Sequence, residues 1–241
     1  MITVLQDWRE LGECIETLQR DKLPLHNTPQ KNWDHFILRG ALGGLGPGVP
    51  IADLGCGHGL TLEFLRRMGF ENLLGIDLSI SWRLRAREAV TMYRERRLTP
   101  PYRILRGSIS ESSIAASSIG LALSISTIEH GVDVDRFLAD SFRILKPGAQ
   151  LFITTDYWRD QIEVPDSIRA FGMPWRIFDR DQISRILDSA ARIGFEPQEN
   201  QIPDCSEAPV TWQGFNYTFI ALLLRKPPSR SALETHQDNG R

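Results

Sequence analysis

Gly55, Gly57 and Gly59 alternate with single residues directly behind the apolar run Val49–Leu54 and ahead of a stretch carrying Leu60, Phe64, Leu65 and Met68 at helical spacing. A run of this kind reads as strand, tight turn and helix. Glycines in the turn let the backbone bend sharply and let a bound molecule approach it closely. In doubly wound sheets the crevice that takes a ligand opens at such a turn, at the carboxyl end of the first strand.

The rest of the chain extends the pattern. Strands are expected at 72–78, 102–109, 119–126, 149–155 and 217–224, and helices at 81–98, 133–145 and 181–194, the last two stopped by Lys146-Pro147-Gly148 and by Gly194. Strands alternating with helices imply a mostly parallel sheet covered on both faces. Ahead of it, residues 1–48 read as a mainly helical cap, with 23–34 as a loop and 36–42 as a short helix, closed by a Gly/Pro cluster. The polar residues after 226 read as a disordered tail. The expected division is therefore 1–48, 49–226 and 227–241.

Hydrophobic residues make up 41% of the 241 and charged residues 24%, which excludes a largely disordered chain. A net charge of −2 lacks the basic footprint of a protein that grips nucleic acid by its phosphates. Only Lys22, Lys31, Lys146 and Lys226 among the 28 basic residues are lysines, a bias read as arginine-rich coding rather than recognition. The three cysteines, Cys14, Cys56 and Cys205, show no CxxC pairing, so neither a disulfide framework nor a zinc ribbon is supported. With no signal peptide and no long apolar run at hand, a cytoplasmic setting is expected.

Two carboxylates decide between cofactor classes. Asp77 follows the last glycine, Gly59, by 18 residues, at the tip of the next strand, where a carboxylate accepts hydrogen bonds from a ribose diol. The nicotinamide fingerprint GxGxxG needs glycine at position 60, which is Leu60. Asp53, two residues before the first glycine, would repel a diphosphate but attract the sulfonium and α-ammonium of S-adenosylmethionine.

These segments resemble the class I S-adenosylmethionine-dependent methyltransferases over about Val49 to Lys226. IADLGCGHG is similar to the first motif of that family and LLGIDLS to its second. ALSISTIEHG (122–131) is similar to the segment closing the fourth strand, and RILKPGAQLFITT (143–155) to the turn entering the fifth. The resemblance implies a seven-stranded sheet in the order 3-2-1-4-5-7-6, the last strand antiparallel. It also implies S-adenosylmethionine as cofactor, S-adenosylhomocysteine as product, and no metal. Asp53, Gly55, Cys56 and Gly57 would face the methionine moiety, Asp77 the ribose and Leu78 the adenine, with Gly59, Ser108, Ile109 and Ser126 completing the cradle. The family often has an acid where Ser108 stands, a departure that leaves the adenine contact to a hydroxyl or to backbone.

For chemistry, His130 lies just beyond the fourth strand, where an imidazole titrating near neutrality suits a general base. A helix cap or loop anchor is the competing role for it, and Asp156 or Tyr157 the competing bases. Cys56 is read as a small filler and His58 as a loop residue or helix cap. The loop 156–178, dense in aromatics (Tyr157, Trp158, Phe171, Trp175, Phe178), and the segment 26–34 are expected to wall the acceptor pocket; a hydrophobic cluster holding the loop down is the alternative. The leading reading is O-methylation of a small molecule, a sugar, glycan or natural-product intermediate, with no membrane or nucleic-acid partner expected. Methylation of protein or RNA and a non-catalytic cofactor-binding regulatory domain stay open, as do the oligomeric state and the acceptor's identity.

Overall fold

The computed structural model describes residues 1–197, 199 and 201–229; of the expected disordered tail, everything beyond 229 lies outside them. In chain order the elements are β1 (Ile2–Val4), α1 (Trp8–Arg20), α2 (Lys31–Ala41), β2 (Ile51–Leu54), α3 (Leu60–Arg67), β3 (Leu73–Asp77), α4 (Trp82–Glu95), β4 (Arg103–Arg106), β5 (Ile119–Ile125), α5 (Val134–Ile144), β6 (Leu145–Tyr157), β7 (Arg169–Ala170), β8 (Met173–Pro174), α6 (Arg180–Ile193), β9 (Glu196–Pro197), β10 (Val210–Trp212) and β11 (Phe215–Arg225).

The main sheet runs β1-β11-β6-β5-β2-β3-β4, with β9 and β10 also pairing with β11. Counting from β2, this is the expected 3-2-1-4-5-7. β11 is antiparallel to β6 over Thr218–Arg225, and β2, β3, β4, β5 and β6 pair in parallel. The outer position expected of strand 6 is shared: β9 holds only Leu224 and Arg225, and β1 covers Ile220 to Leu222. Residues 2–4 of the cap thus belong to the sheet.

Parallel strands covered on both sides have no solvent face, so they read as apolar runs; β2 is buried throughout, and so are eight successive residues of β11. Cores lie on both faces, one around Phe137, Leu138, Ile183 and Ile220, the other around Trp33, Phe64, Phe152 and Phe219. The helices start as their caps dictate: Asp7, Ser81, Asp133 and Asp179 each accept a backbone N–H of the first turn, Asp179 in a reciprocal capping box with Gln182.

One sequence expectation fails with consequences. Lys31 to Asp34 are not loop but the first turn of α2. The loop before it is held by Asn32, whose Oδ1 accepts the backbone N–H of His26 (2.8 Å) and whose Nδ2 donates to the Pro29 carbonyl (2.9 Å). Starting the helix there puts Lys31, Asp34, His35 and Leu38 on one face, turned toward the sheet. His35 stacks on Phe64 (4.5 Å between centroids) and contacts Thr61 Oγ1.

Candidate active site

The carboxyl tips of β3, β2, β5 and β6 lie side by side in that order. At the first two, backbone forms the site. Gly55 and Cys56 both donate to the Ile76 carbonyl (2.8 and 3.1 Å), and the Gly57 N–H donates to Asp77 Oδ2 (2.9 Å). Asp77 Oδ1 takes the N–H of Ser79 (3.0 Å), so this carboxylate braces both loops. Gly55 (φ +91°) passes so close to Thr127 that a Cβ would lie 2.4 Å from its Cγ2, while a Cβ on Gly57 (φ +49°) would meet nothing within 4 Å. The glycine at 55 is required by packing; the one at 57 borders open space.

Asp53 lies below that turn, buried, with Oδ2 lacking a hydrogen-bond partner. Burial, seconded by the charge of Asp77, raises its pKa to about 7. A carboxyl in that state favours a neighbouring cation. Leu78 is 60% exposed at the tip of β3, a bare apolar surface of the kind an adenine ring covers. Ile109 is buried, and the Ser108 hydroxyl accepts the N–H of Ser110 (3.1 Å). Cys56 turns inward, its Sγ lying 2.7 Å from where a Cβ on Gly75 would stand, and burial raises its thiol pKa; it is a packing residue, not a nucleophile. His58 ties the turn to α4 through the Ser81 hydroxyl (3.0 Å). An unpartnered buried carboxylate oxygen, an open glycine cradle and an exposed apolar flank fit S-adenosylmethionine.

At the tips of β5 and β6, side chains form the site. Lys31 reaches in from α2 and donates to the Ser126 hydroxyl. Its Nζ lies 3.8 Å from Asp34 Oδ2, 3.7 Å from Asp156 Oδ1 and 3.8 Å from the centre of the Phe219 ring. Ser126 is thus claimed by Lys31, on a backbone at φ +47°. Asp156 accepts the Trp175 indole N–H (2.7 Å), and Glu129 accepts the Thr155 hydroxyl (2.9 Å). Asp34, Glu129 and Asp156 are all buried. Burial drives all three pKa values up, that of Asp34 to about 6, with Lys31 opposing. For Lys31 burial works downward, yet the surrounding carboxylates win and its pKa rises. It stays an ammonium.

His130 sits beside this cluster, half-buried, with Nδ1 unpartnered and its ring edge-on to Phe171 (5.5 Å). Burial and then the charge of Lys31 lower its pKa to about 4, so the imidazole does not titrate near neutrality as the sequence reading expected; it is neutral across the physiological range but a weaker proton acceptor than an ordinary histidine. The loop 156–178 divides. Tyr157, Trp175 and Phe178 are buried, with Trp175 edge-on to Trp212, Phe215 and Tyr217. Phe171, at the tip of the β7–β8 hairpin, is 86% exposed over His130. Part of the loop is hydrophobic cluster and part borders the site. The sequence placed Lys31 and Asp34 only within the 26–34 segment expected to wall the acceptor pocket and gave Glu129 no role: reading 31–34 as loop concealed the shared helical face.

Residues 52–153 match the family model described as a methyltransferase domain. Among curated proteins, the chain is 33% identical to the ubiquinone biosynthesis O-methyltransferase of Caulobacter vibrioides over 110 residues, which cover 45% of this chain and 41% of that one. It is also 33% identical to the protein so named in Hahella chejuensis over 138 residues, 55% and 52% of the two. The chain therefore spans about half the length of the curated relatives it matches. Among solved structures, the geranyl diphosphate C-methyltransferase of Streptomyces coelicolor superimposes with a TM-score of 0.63 at 18% identity, covering 91% of this chain and 85% of that one. The 1,6-didemethyltoxoflavin-N1-methyltransferase of Burkholderia thailandensis gives 0.59 at 16%, covering 90% and 87%. Residues 52–153 thus match a methyltransferase domain, and the fold is that of the class I S-adenosylmethionine-dependent methyltransferases. Among the described residues no cluster of His, Cys, Asp and Glu is arranged to hold a metal ion, and no helix is long and apolar enough to cross a membrane.

Proposed function

We propose that the chain transfers a methyl group from S-adenosylmethionine to a hydroxyl of a small molecule bound between α2 and the tips of β5 and β6. The observation that carries this reading is the adjacency of the two half-sites along one row of strand tips. The cradle at Asp53, Gly55–Gly57 and Asp77 ends where the buried group of Lys31, Asp34, Glu129 and Asp156 begins. Cofactor bound to that cradle supplies an electrophilic methyl carbon. Asp77 orients the ribose, Leu78 flanks the adenine with Ser108 and Ile109, and Asp53 answers the positive charge. Cys56 and Gly59 keep the turn in shape.

Alignment does most of the remaining work, since holding two reactants in line is worth ~7–11 kcal/mol. His130, neutral and at the edge of the acceptor group, takes the proton of the attacking hydroxyl. O-methylation and a small acceptor are favoured by the relatives' names. The test is incubation of the full chain with methyl-labelled S-adenosylmethionine and fractionated metabolite pools. Label in an alkali-stable, low-molecular-weight ether is expected. Label confined to protein or RNA contradicts the reading.

A further inference from the structure

Helix α4 joins β3 to β4 at the outer edge of the sheet, and its polarity runs inside out. The buried side chains are Leu84, Glu88 and Thr91, two of the three polar. At 3.6 residues per turn the outward face is Trp82, Ala86, Ala89, Val90 and Tyr93, all exposed and none charged. A solvated helix shows the opposite order. Trp82 and Tyr93 are 75% and 86% exposed, and Leu98 lies beside Tyr93 past the end of the helix. The ridge from Trp82 to Tyr93 is about 16 Å long. Single exposed apolar side chains need no explanation, but a contiguous row of them marks a surface that meets something.

Charge says what it meets. Arg83 and Arg94 flank the ridge on one side and Arg85 on the other. Residues 82–106 carry eight arginines against two glutamates, in a chain whose net charge is −2. Neither glutamate offsets the arginines on the outer face: Glu88 is buried and bound by Arg85, and Glu95 is paired with Arg66.

We propose that this face of α4 docks on an anionic membrane surface, the apolar ridge entering between the headgroups while the flanking arginines bind lipid phosphates. The contact is peripheral, since α4 lies along the surface, and it uses no residue of the cofactor cradle or the acceptor group. A bilayer accepts a convex ridge without a matching groove, and Trp and Tyr settle at the depth where chains meet headgroups. A second copy of the chain would set arginines against arginines. Single-stranded RNA would stack on Trp82 and Tyr93 but leave Ala86, Ala89 and Val90 between them uncovered.

The test is co-sedimentation of the full chain with vesicles of phosphatidylcholine alone and with vesicles containing about 30% phosphatidylglycerol, at about 0.1 M salt. Binding to the anionic vesicles is expected to be about tenfold tighter or more, and the preference to fall below about threefold at about 0.5 M salt. The double variant Trp82→Ser/Tyr93→Ser keeps every charge and is expected to lose about tenfold or more, which separates insertion of the ridge from plain attraction of charges. Trp8→Ser, at an exposed tryptophan behind β1 on the opposite edge of the sheet, should bind within about twofold of the parent. A cooperative melting transition shows that each variant is folded; should the double variant fail to fold, Tyr93→Ser alone takes its place.

Equal binding to the two kinds of vesicle, or none up to about 1 mM lipid, overturns the proposal. So does a loss in Trp8→Ser as large as that in the double variant. A dimer in sedimentation velocity that the double variant dissolves overturns it in favour of a second copy of the chain. Tighter binding to polyuridylate than to the anionic vesicles overturns it in favour of RNA.

Discussion

The two halves of the site are built from different materials. At β2 and β3, backbone makes the contacts, within one continuous stretch from Asp53 to Ser79: Gly55, Cys56 and Gly57 donate their N–H groups, and two loops share one aspartate. At β5 and β6, side chains make them, brought together from α2, from the turn after β5, from β6 and from the strand β8 that positions Trp175. The cofactor is one molecule with fixed demands, and a rigid backbone cradle suits it. The proposed acceptor group is a set of buried side chains contributed by separate elements, Asp156 among them from β6 of the sheet itself. Generic binding is written in the backbone and specificity in the side chains.

That contrast is broken most severely at the glycines. Gly57→Val is expected to weaken S-adenosylhomocysteine binding by about 100-fold or more, because the new side chain enters open space that the ligand needs; its stability cost is confined to backbone strain at φ +49°. Gly59→Val, strained likewise at φ +71°, adds a clash: its Cβ would stand 2.4 Å from Leu84 Cδ1, so overpacking against α4 costs a further ~1–3 kcal/mol of stability. Thermal melts and calorimetry on both variants check this, and equal effects on the two readouts would erase the distinction.

On the side-chain half, His130→Ala is expected to lose about 100-fold in kcat with cofactor affinity unchanged. The acidic limb of the parent's pH–rate profile should lie near the lowered value of about 4, since protonation of this imidazole removes the base as pH falls. A loss under about tenfold with that limb intact assigns the proton to Asp156 or Tyr157. A smaller effect, about tenfold in acceptor KM with kcat nearly kept, is expected of Trp175→Phe, which removes one hydrogen bond to a buried carboxylate. Unchanged KM reduces Trp175 to a member of the aromatic cluster.

The mildest effect sharpens the cofactor half. Burial keeps Asp53 protonated in the free chain up to about pH 7, whereas a bound sulfonium and ammonium favour the carboxylate. Binding of S-adenosylmethionine therefore releases a proton and tightens as pH rises from 6 to 8, by about threefold to tenfold. Calorimetry in buffers of different ionisation enthalpy measures both quantities. An affinity independent of pH contradicts the role given to Asp53.

Legibility followed the same divide. The glycine turn, Asp53 and Asp77 were readable because they depend on local backbone chemistry, and the strands because they are apolar runs alternating with helices; the strand order followed from the family resemblance. β1 and β9 escaped notice because strands of three and two residues leave no period to detect. Lys31 and Asp34 were hidden by composition: Pro, Asn and Gln in 26–34 read as loop, yet Asn32 folds those residues back on themselves and lets α2 start early. Glu129 was hidden because only the fold shows that a charged residue beside His130 is buried rather than solvated.

The division of labour along the row of strand tips is tested most directly by calorimetric titration of S-adenosylhomocysteine into the parent, Asp77→Ala and Asp34→Asn. Asp77→Ala is predicted to bind about 10- to 100-fold more weakly, having lost charged hydrogen bonds to the ribose and the brace on Gly57. Asp34→Asn is predicted to match the parent within about twofold. Undiminished binding in Asp77→Ala, or a loss in Asp34→Asn as large as that expected for Asp77→Ala, would contradict the account.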